Sequence, residues 1–324
     1  MERKTIVAVF LPKTSCNSFP KSDERCIYNE YFTFPTEKSV FEGTDIVITV
    51  ASSPVRCCDF LEKAPNVKLV ISPMAGIEHI VLARKTVKNM PPVCRIKDHI
   101  SHPMTEYFFH QLFLLERKIN IKGAKNLWPL KDNMANVYSI KLLNGSSIAF
   151  LGFGTIGKKI ARVCKAFGMT VWAINTSGQV KEDYVDYART VKDLDEVLGN
   201  CEYVCNVLPV TKDTTDILSG ETLKACQNRN TVFINIGRGN VISDEAILTA
   251  LRNKWIRAAI LDVFRTEPLP QDHPFYKEEN IIITPHVSWY HDNLFIETSK
   301  QCIDLIHNFL DGKSIPFLPE DATY

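Results

Sequence analysis

Short, unbroken apolar runs alternate along this chain with segments whose apolar residues recur every third or fourth position. The runs are Ile6 to Phe10, Asp45 to Val50, Val67 to Ser72 and Val93 to Lys97, then Ser147 to Leu151, Met169 to Ile174, Tyr203 to Leu208, Thr231 to Ile236, Ala258 to Phe264 and Ile281 to Thr284. Runs that do not alternate with polar residues suit strands buried on both faces, as in a parallel sheet covered by helices. The segments of helical spacing are Pro54 to Lys63, Pro103 to Arg117, Lys158 to Phe167, Gly220 to Gln227, Asp244 to Asn253 and His291 to Asp311. The alternation predicts an α/β protein with two doubly wound parallel sheets, one on each side of the helix Pro103 to Arg117. The last helix is long enough to return to the first domain, which makes that domain discontinuous.

One connection carries a fingerprint. Between the strand Ser147 to Leu151 and its helix stands Gly152-Phe153-Gly154-Thr155-Ile156-Gly157. In the order strand, glycine turn, helix, Gly152 permits the tight turn and Gly154 lets backbone approach a pyrophosphate. Gly157 lets helix and strand pack closely, with the helix N-terminus facing the anion. This predicts a Rossmann-like dinucleotide site. An acidic residue at the end of the following strand would bind the ribose 2′-hydroxyl and repel a 2′-phosphate. The chain instead reads Asn175-Thr176-Ser177-Gly178, with Lys181 nearby and no Arg to grip a phosphate at two points. The loop therefore favours NADP(H) slightly and admits NAD(H).

Length and composition narrow the setting. The 324 residues, 45% hydrophobic, suffice for two cores, and a net charge of +1 gives no electrostatic case for a nucleic-acid or membrane partner. No apolar stretch is long enough to span a bilayer, and Met1-Glu2-Arg3-Lys4 leads into a run too short for a signal sequence. The ten cysteines are scattered, without metal-site spacing, so reduced thiols, no metal and a cytoplasmic location are expected.

Candidate chemistry lies at carboxyl ends of strands, where open α/β sheets place ligands. Arg238 follows a buried strand end and is a forked donor suited to a carboxylate. Glu267 lies in the proline-flanked loop after Leu261-Asp262-Val263-Phe264, and His286 follows Pro285 after the last strand. A His paired with a carboxylate can hand a proton to a carbonyl oxygen near neutral pH. Taken singly, a salt-bridged Arg, a turn Glu and a loop-capping His are ordinary features.

Together these segments resemble the D-isomer-specific 2-hydroxyacid dehydrogenases over essentially the full length. The resemblance rests on Ala75-Gly76-Ile77-Glu78, the glycine fingerprint, Leu208-Pro209-Val210-Thr211 with Thr214, Asn235-Ile236-Gly237-Arg238-Gly239, Leu261-Asp262-Val263-Phe264 with Glu267-Pro268, and Thr284-Pro285-His286. It implies that Arg238 holds the substrate carboxylate and polarises the keto group, that His286 is the proton donor and that Glu267 pairs with it. It further implies cofactor contacts at Pro209, Thr214 and Ile236 besides the glycine loop, with Asp262 at the nicotinamide carboxamide. Substrate contacts at Met74, Ala75 and Gly76, and a homodimer, also follow from it.

Asn175 in place of the usual acidic residue resembles the glyoxylate and hydroxypyruvate reductases more than the phosphoglycerate dehydrogenases, as does the lack of a long C-terminal regulatory domain. Trp289, three residues past His286, is either an interface packing residue or a wall of the substrate pocket.

The expected division is 1–102 plus 288–324 for substrate and 103–287 for the dinucleotide, with the active site in an interdomain cleft. The expected activity is NAD(P)H-dependent reduction of a small 2-keto acid, such as glyoxylate or hydroxypyruvate, to the D-2-hydroxy acid. The alternative, suggested by His286-x-x-Trp289-Tyr290, is a dinucleotide-sensing interaction protein similar to the C-terminal-binding corepressor branch of the same superfamily.

Overall fold

The computed structural model describes residues 3–12, 17–50, 53, 55–96, 98–117 and 141–319. The chain divides into two compact units, Met1–Ile100 with His291–Tyr324, and Ser101–Tyr290. Met1, Glu2, Pro54 and Lys97, named above as a chain start and as element ends, lie outside the described residues.

The first unit is built on five parallel strands: β1 (Thr5–Phe10), β2 (Cys26–Glu30), β3 (Ile46–Thr49), β4 (Leu69–Ser72) and β5 (Val93–Arg95). Their order is β2-β1-β3-β4-β5, so the winding reverses between β1 and β3. Successive residues of a strand face opposite sides, and each side has its own core. Ala8, Phe10, Val47 and Val70 meet Phe60 and Ile80, from α2 (Cys57–Leu61) and α3 (Glu78–Thr86), after the short α1 (Lys38–Gly43). On the other side Val7, Val9, Ile46, Ile48 and Ile71 pack with Cys302 and Ile306 of the C-terminal helix Leu294–Leu310.

The second unit opens with α4 (Ser101–Arg117) and holds seven parallel strands. They are β6 (Ser147–Leu151), β7 (Thr170–Ile174), β8 (Tyr187–Arg189), β9 (Tyr203–Asn206), β10 (Thr231–Asn235), β11 (Ile256–Leu261) and β12 (Ile281–Ile283). The order β12-β11-β10-β9-β6-β7-β8 puts the reversal between β6 and β9. The helices between them are α5 (Thr155–Ala166), α6 (Leu194–Asn200) and α7 (Asp244–Arg252), and Leu294–Leu310 is α8. α5 buries Gly157, Ile160, Ala161 and Cys164, the stripe its spacing predicts.

Several elements depart from the expected pattern: β2, α1, α3 and α6 were not expected. The segment expected as a helix from Gly220 to Gln227 forms only a 3-10 helix, Thr222–Cys226, which begins after Gly220 with its left-handed φ of 67°. The edge strand β8 was not expected; three residues with Tyr187 exposed are too few to show a period.

Candidate active site

The glycine loop follows β6 at the reversal of the second sheet. Gly152 has φ 92°, and a Cβ there would lie 3.1 Å from Leu208 N and the Val207 carbonyl, in the loop after β9. A Cβ at Gly157 would come within 2.8 Å of the Gly152 carbonyl oxygen, so helix and turn touch backbone to backbone. Gly154 differs: it is exposed, a Cβ there would meet nothing within 4 Å, and no side chain caps α5, whose N-cap it is. Thr155 and Ile156 form the first turn of that helix, with Thr155 exposed. An uncapped helix N-terminus beside open space fits a pyrophosphate, whose charge its amides would meet.

The turn after β7 is closed by Asn175. Its Oδ1 accepts the Gly178 N–H (2.7 Å), the Ser177 N–H (3.0 Å) and the Ser177 hydroxyl (3.2 Å), while its Nδ2 donates to the Gln179 carbonyl at 2.7 Å. Asn175 thus shapes the turn and leaves Thr176 and Ser177 exposed on it. Arg189 ends the neighbouring strand, paired in register with Ile174, a proximity the sequence could not show. Its guanidinium is gripped by both Glu196 oxygens, at 3.0 and 2.8 Å.

In the loop after β9, the Thr214 hydroxyl donates to the Pro209 carbonyl at 2.6 Å and accepts the Thr211 N–H at 2.7 Å. Beneath it, the buried amides of Asn206 and Asn235 join β9 to β10 at 2.9 Å, and Asn235 Nδ2 donates to the Arg238 carbonyl at 3.0 Å. Ile236, also buried, donates its N–H to the Asn206 carbonyl. The asparagine pair escaped sequence reasoning, although a polar residue closing an otherwise apolar strand marks each.

Arg238, Asp262 and His286 follow β10, β11 and β12, which are neighbours in the sheet, so their loops share one edge. His286 Nδ1 lies 2.7 Å from Glu267 Oε2, and Glu267 Oε1 accepts the Phe264 N–H at 2.9 Å. Burial works to raise the Glu267 carboxyl. The hydrogen bond from His286 and that from the Phe264 N–H, with the charges of His286 and Arg238, outweigh it and hold the group below the usual carboxylate range. An ionised carboxylate only accepts, so Nδ1 carries the proton and Nε2 is the outward nitrogen of the ring.

Arg238 Nη1 donates to the Gly237 carbonyl at 2.9 Å. Asp262 is fully buried, accepting the Thr284 hydroxyl at 2.6 Å and the Val287 and Ser288 N–H groups at 2.9 Å. Trp289 donates its indole N–H to the His286 carbonyl at 2.8 Å, which ties the indole into the loop of the histidine.

In the first unit, Met74, Ala75 and Gly76 form the half-buried loop after β4, and Arg95 Nη1 donates to the Ala75 carbonyl at 3.0 Å. Asp23, Cys26 and His307 are also gathered there, with donor atoms within 4.8 Å of one another. Burial pushes the Asp23 carboxyl up, but bonds from Tyr28, the Arg25 and Cys26 N–H groups and His307 bring it down to about 2. With so many donors already engaged, the cluster pins α8 to β2. The nine cysteines among the described residues are unpaired and buried, and no described helix is long and apolar enough to cross a membrane.

Residues 115–288 match the family model described as D-isomer specific 2-hydroxyacid dehydrogenase, NAD binding domain. The chain is 36% identical over 255 residues to a glyoxylate reductase of Thermococcus onnurineus, covering 75% of this chain and 73% of that one. It is 27% identical to a glycerate dehydrogenase of Methylorubrum extorquens, over 88% of this chain and 90% of that one. Among solved structures, an NADPH-dependent glyoxylate/hydroxypyruvate reductase from Sinorhizobium meliloti, in complex with NADP and sulfate, superposes with a TM-score of 0.82. That match has 23% identity and covers 99% of this chain and all of that one, a likeness of fold. The chain belongs to the D-isomer specific 2-hydroxyacid dehydrogenases, a family of NAD(P)-dependent oxidoreductases.

Proposed function

We propose that this protein reduces small 2-keto acids, glyoxylate and hydroxypyruvate foremost, to D-2-hydroxy acids with NADPH in preference to NADH, and that His286 is the proton donor. The observation that carries the reading is the His286–Glu267 pair at 2.7 Å, within the field of Arg238. When bound, the reduced dinucleotide supplies the hydride to the keto carbon. Gly152, Gly154, Thr155, Ile156 and Gly157 would hold its pyrophosphate, Asn175, Thr176 and Ser177 the ribose end, and Pro209, Thr214, Ile236 and Asp262 the remainder. Thr176 and Ser177, exposed on a turn without a carboxylate, support the NADPH preference.

Arg238 grips the substrate carboxylate and draws charge toward the keto oxygen, an interaction that strengthens as the oxygen becomes anionic. Trp289 borders the substrate. His286 donates from Nε2 while Glu267 keeps the proton on Nδ1 and stabilises the charged ring. We assign the dinucleotide to the unit Ser101–Tyr290, which also carries Arg238, His286 and Trp289, and backbone contacts to substrate at Met74, Ala75 and Gly76 to the other. The nine described cysteines, unpaired and buried, support a reducing cytoplasmic setting. Exposed Leu114, Leu142 and Phe167 on the second unit support a homodimer.

The test is oxidation of NADPH and NADH with a panel of keto acids: glyoxylate, hydroxypyruvate, phenylpyruvate and 2-ketoisocaproate. Turnover should be fastest with the first two, and His286→Ala should lose about 10²–10⁴-fold in rate while still binding the cofactor. A wild type inert to the whole panel, or a His286→Ala variant of undiminished turnover, refutes the reading.

A further inference from the structure

The backbone around His286 is held in an unusual way. His286 has φ 54°, in the left-handed region that a residue with a Cβ rarely adopts. Three consecutive N–H groups converge on one buried residue: that of His286 donates to the Asp262 carbonyl at 2.8 Å, that of Val287 to Oδ1 and that of Ser288 to Oδ2, both at 2.9 Å. No ion pair reaches Asp262 among the described residues, so its carboxylate rests on the Val287 and Ser288 amides and on the Thr284 hydroxyl at 2.6 Å.

A hydroxyl has one proton, and Thr284 gives it to Asp262. The 2.5 Å contact between Tyr107 and Thr284 must therefore run from the Tyr107 hydroxyl into Thr284 Oγ1. Burial raises the Tyr107 phenol well above its ordinary value, so it keeps that proton. The direction of the whole chain is thereby set: Tyr107, on α4, donates to Thr284, Thr284 donates to Asp262, and Asp262 accepts the loop that carries His286.

We infer that Asp262, Thr284 and Tyr107 are positioning residues, a hydrogen-bonded chain that holds His286 in its left-handed conformation with its ring against Glu267. This goes beyond the cofactor contact that family resemblance implies for Asp262, and it rests on the reading of His286 as proton donor. A donor moved by an ångström loses much of its effect, because proton transfer requires hydrogen-bond distance.

Thr284→Val keeps the branched shape and removes the hydroxyl, Thr284→Ser keeps the hydroxyl, and Tyr107→Phe removes the outermost link. Turnover at saturating keto acid and NADPH, NADPH affinity by fluorescence, thermal midpoint, and the ring resonances of His286 in ¹⁵N-histidine protein should be measured together. Thr284→Val should lose about tenfold to a hundredfold in kcat. NADPH affinity should hold within about threefold, a shift too small to carry the loss in kcat. The His286 resonances should move, Thr284→Ser should recover most of the loss, and Tyr107→Phe should fall between.

If kcat and the His286 resonances are unchanged in an active Thr284→Val enzyme, the positioning chain is wrong and the proton-donor reading survives. A parallel fall of NADPH affinity and kcat would also overturn it, by making the cluster a cofactor contact alone. A wild type inert to every keto acid refutes the proton-donor reading itself, and the catalytic meaning of the chain with it.

Discussion

Replacing Glu267 by Gln should impair the enzyme far more than the loss of one charge on a loop suggests, because this carboxylate serves two donors. Oε1 accepts the Phe264 N–H at 2.9 Å, and Oε2 faces His286 Nδ1 at 2.7 Å. In an amide only the oxygen accepts, and the nitrogen only donates. If its oxygen serves Phe264, its NH₂ confronts Nδ1 and forces the ring proton onto Nε2, which opposes a doubly protonated ring. If its oxygen serves His286, its NH₂ confronts the Phe264 N–H instead.

A hydrogen bond to a charged group contributes about 1.5–3 kcal/mol. The side chains of His286 and Glu267 are 39% and 35% exposed, so solvent screens part of this. At about 1.4 kcal/mol per tenfold, kcat/KM for glyoxylate should fall about tenfold to a hundredfold. NADPH affinity should be retained. The depressed folded-state value of Glu267 also fixes a sign: its stabilising effect is fully present above the ordinary carboxylate value and is lost as pH falls through the folded one. The difference in thermal midpoint between wild type and Glu267→Gln should therefore shrink on acidification. A kcat/KM within threefold of wild type, or a midpoint difference that widens in acid, would refute the reasoning.

Further outcomes follow from close contacts. A Cβ at Gly239 would overlap the Phe264 carbonyl and lie 2.5 Å from Arg265 N, so Gly239→Ala should displace the loops of Arg238 and Glu267. We expect a loss of at least about 3 kcal/mol, since the obstacle is backbone; thermal denaturation should show a fall of roughly 6 °C or more, and an unchanged midpoint would contradict the packing. Arg238→Lys should lose most turnover, since an ammonium cannot make a planar two-point contact; steady-state kinetics with unchanged kcat/KM would remove Arg238 from the substrate site. Asn175→Asp should raise the KM for NADPH at least about tenfold through charge repulsion with a 2′-phosphate. It also sets a second oxygen against the Gln179 carbonyl, so a modest loss with NADH is expected too; equal effects on both cofactors would mean the turn, and not the phosphate, was disturbed.

The parallel strands other than β2 and β8, the glycine turn and the loops of Arg238, Glu267 and His286 were legible in the sequence because each depends on short-range chemistry. An apolar run reports burial on both faces. A glycine with φ 92° reports a turn that a Cβ would spoil. What remained hidden lies between elements far apart in the chain. The Asn206–Asn235 pair exists because β9 and β10 are neighbours, and Arg189 approaches the Asn175 turn because a three-residue strand joins the sheet edge. Tyr107 reads as one aromatic position on an amphipathic helix, yet it contacts Thr284, 177 residues away. Local sequence determined which segments could be strands, turns and helices, since backbone sterics and burial act within a few residues. Which polar group meets which was decided only when the sheets assembled, because a hydrogen bond depends on distance in space, and only the order and register of strands sets that distance.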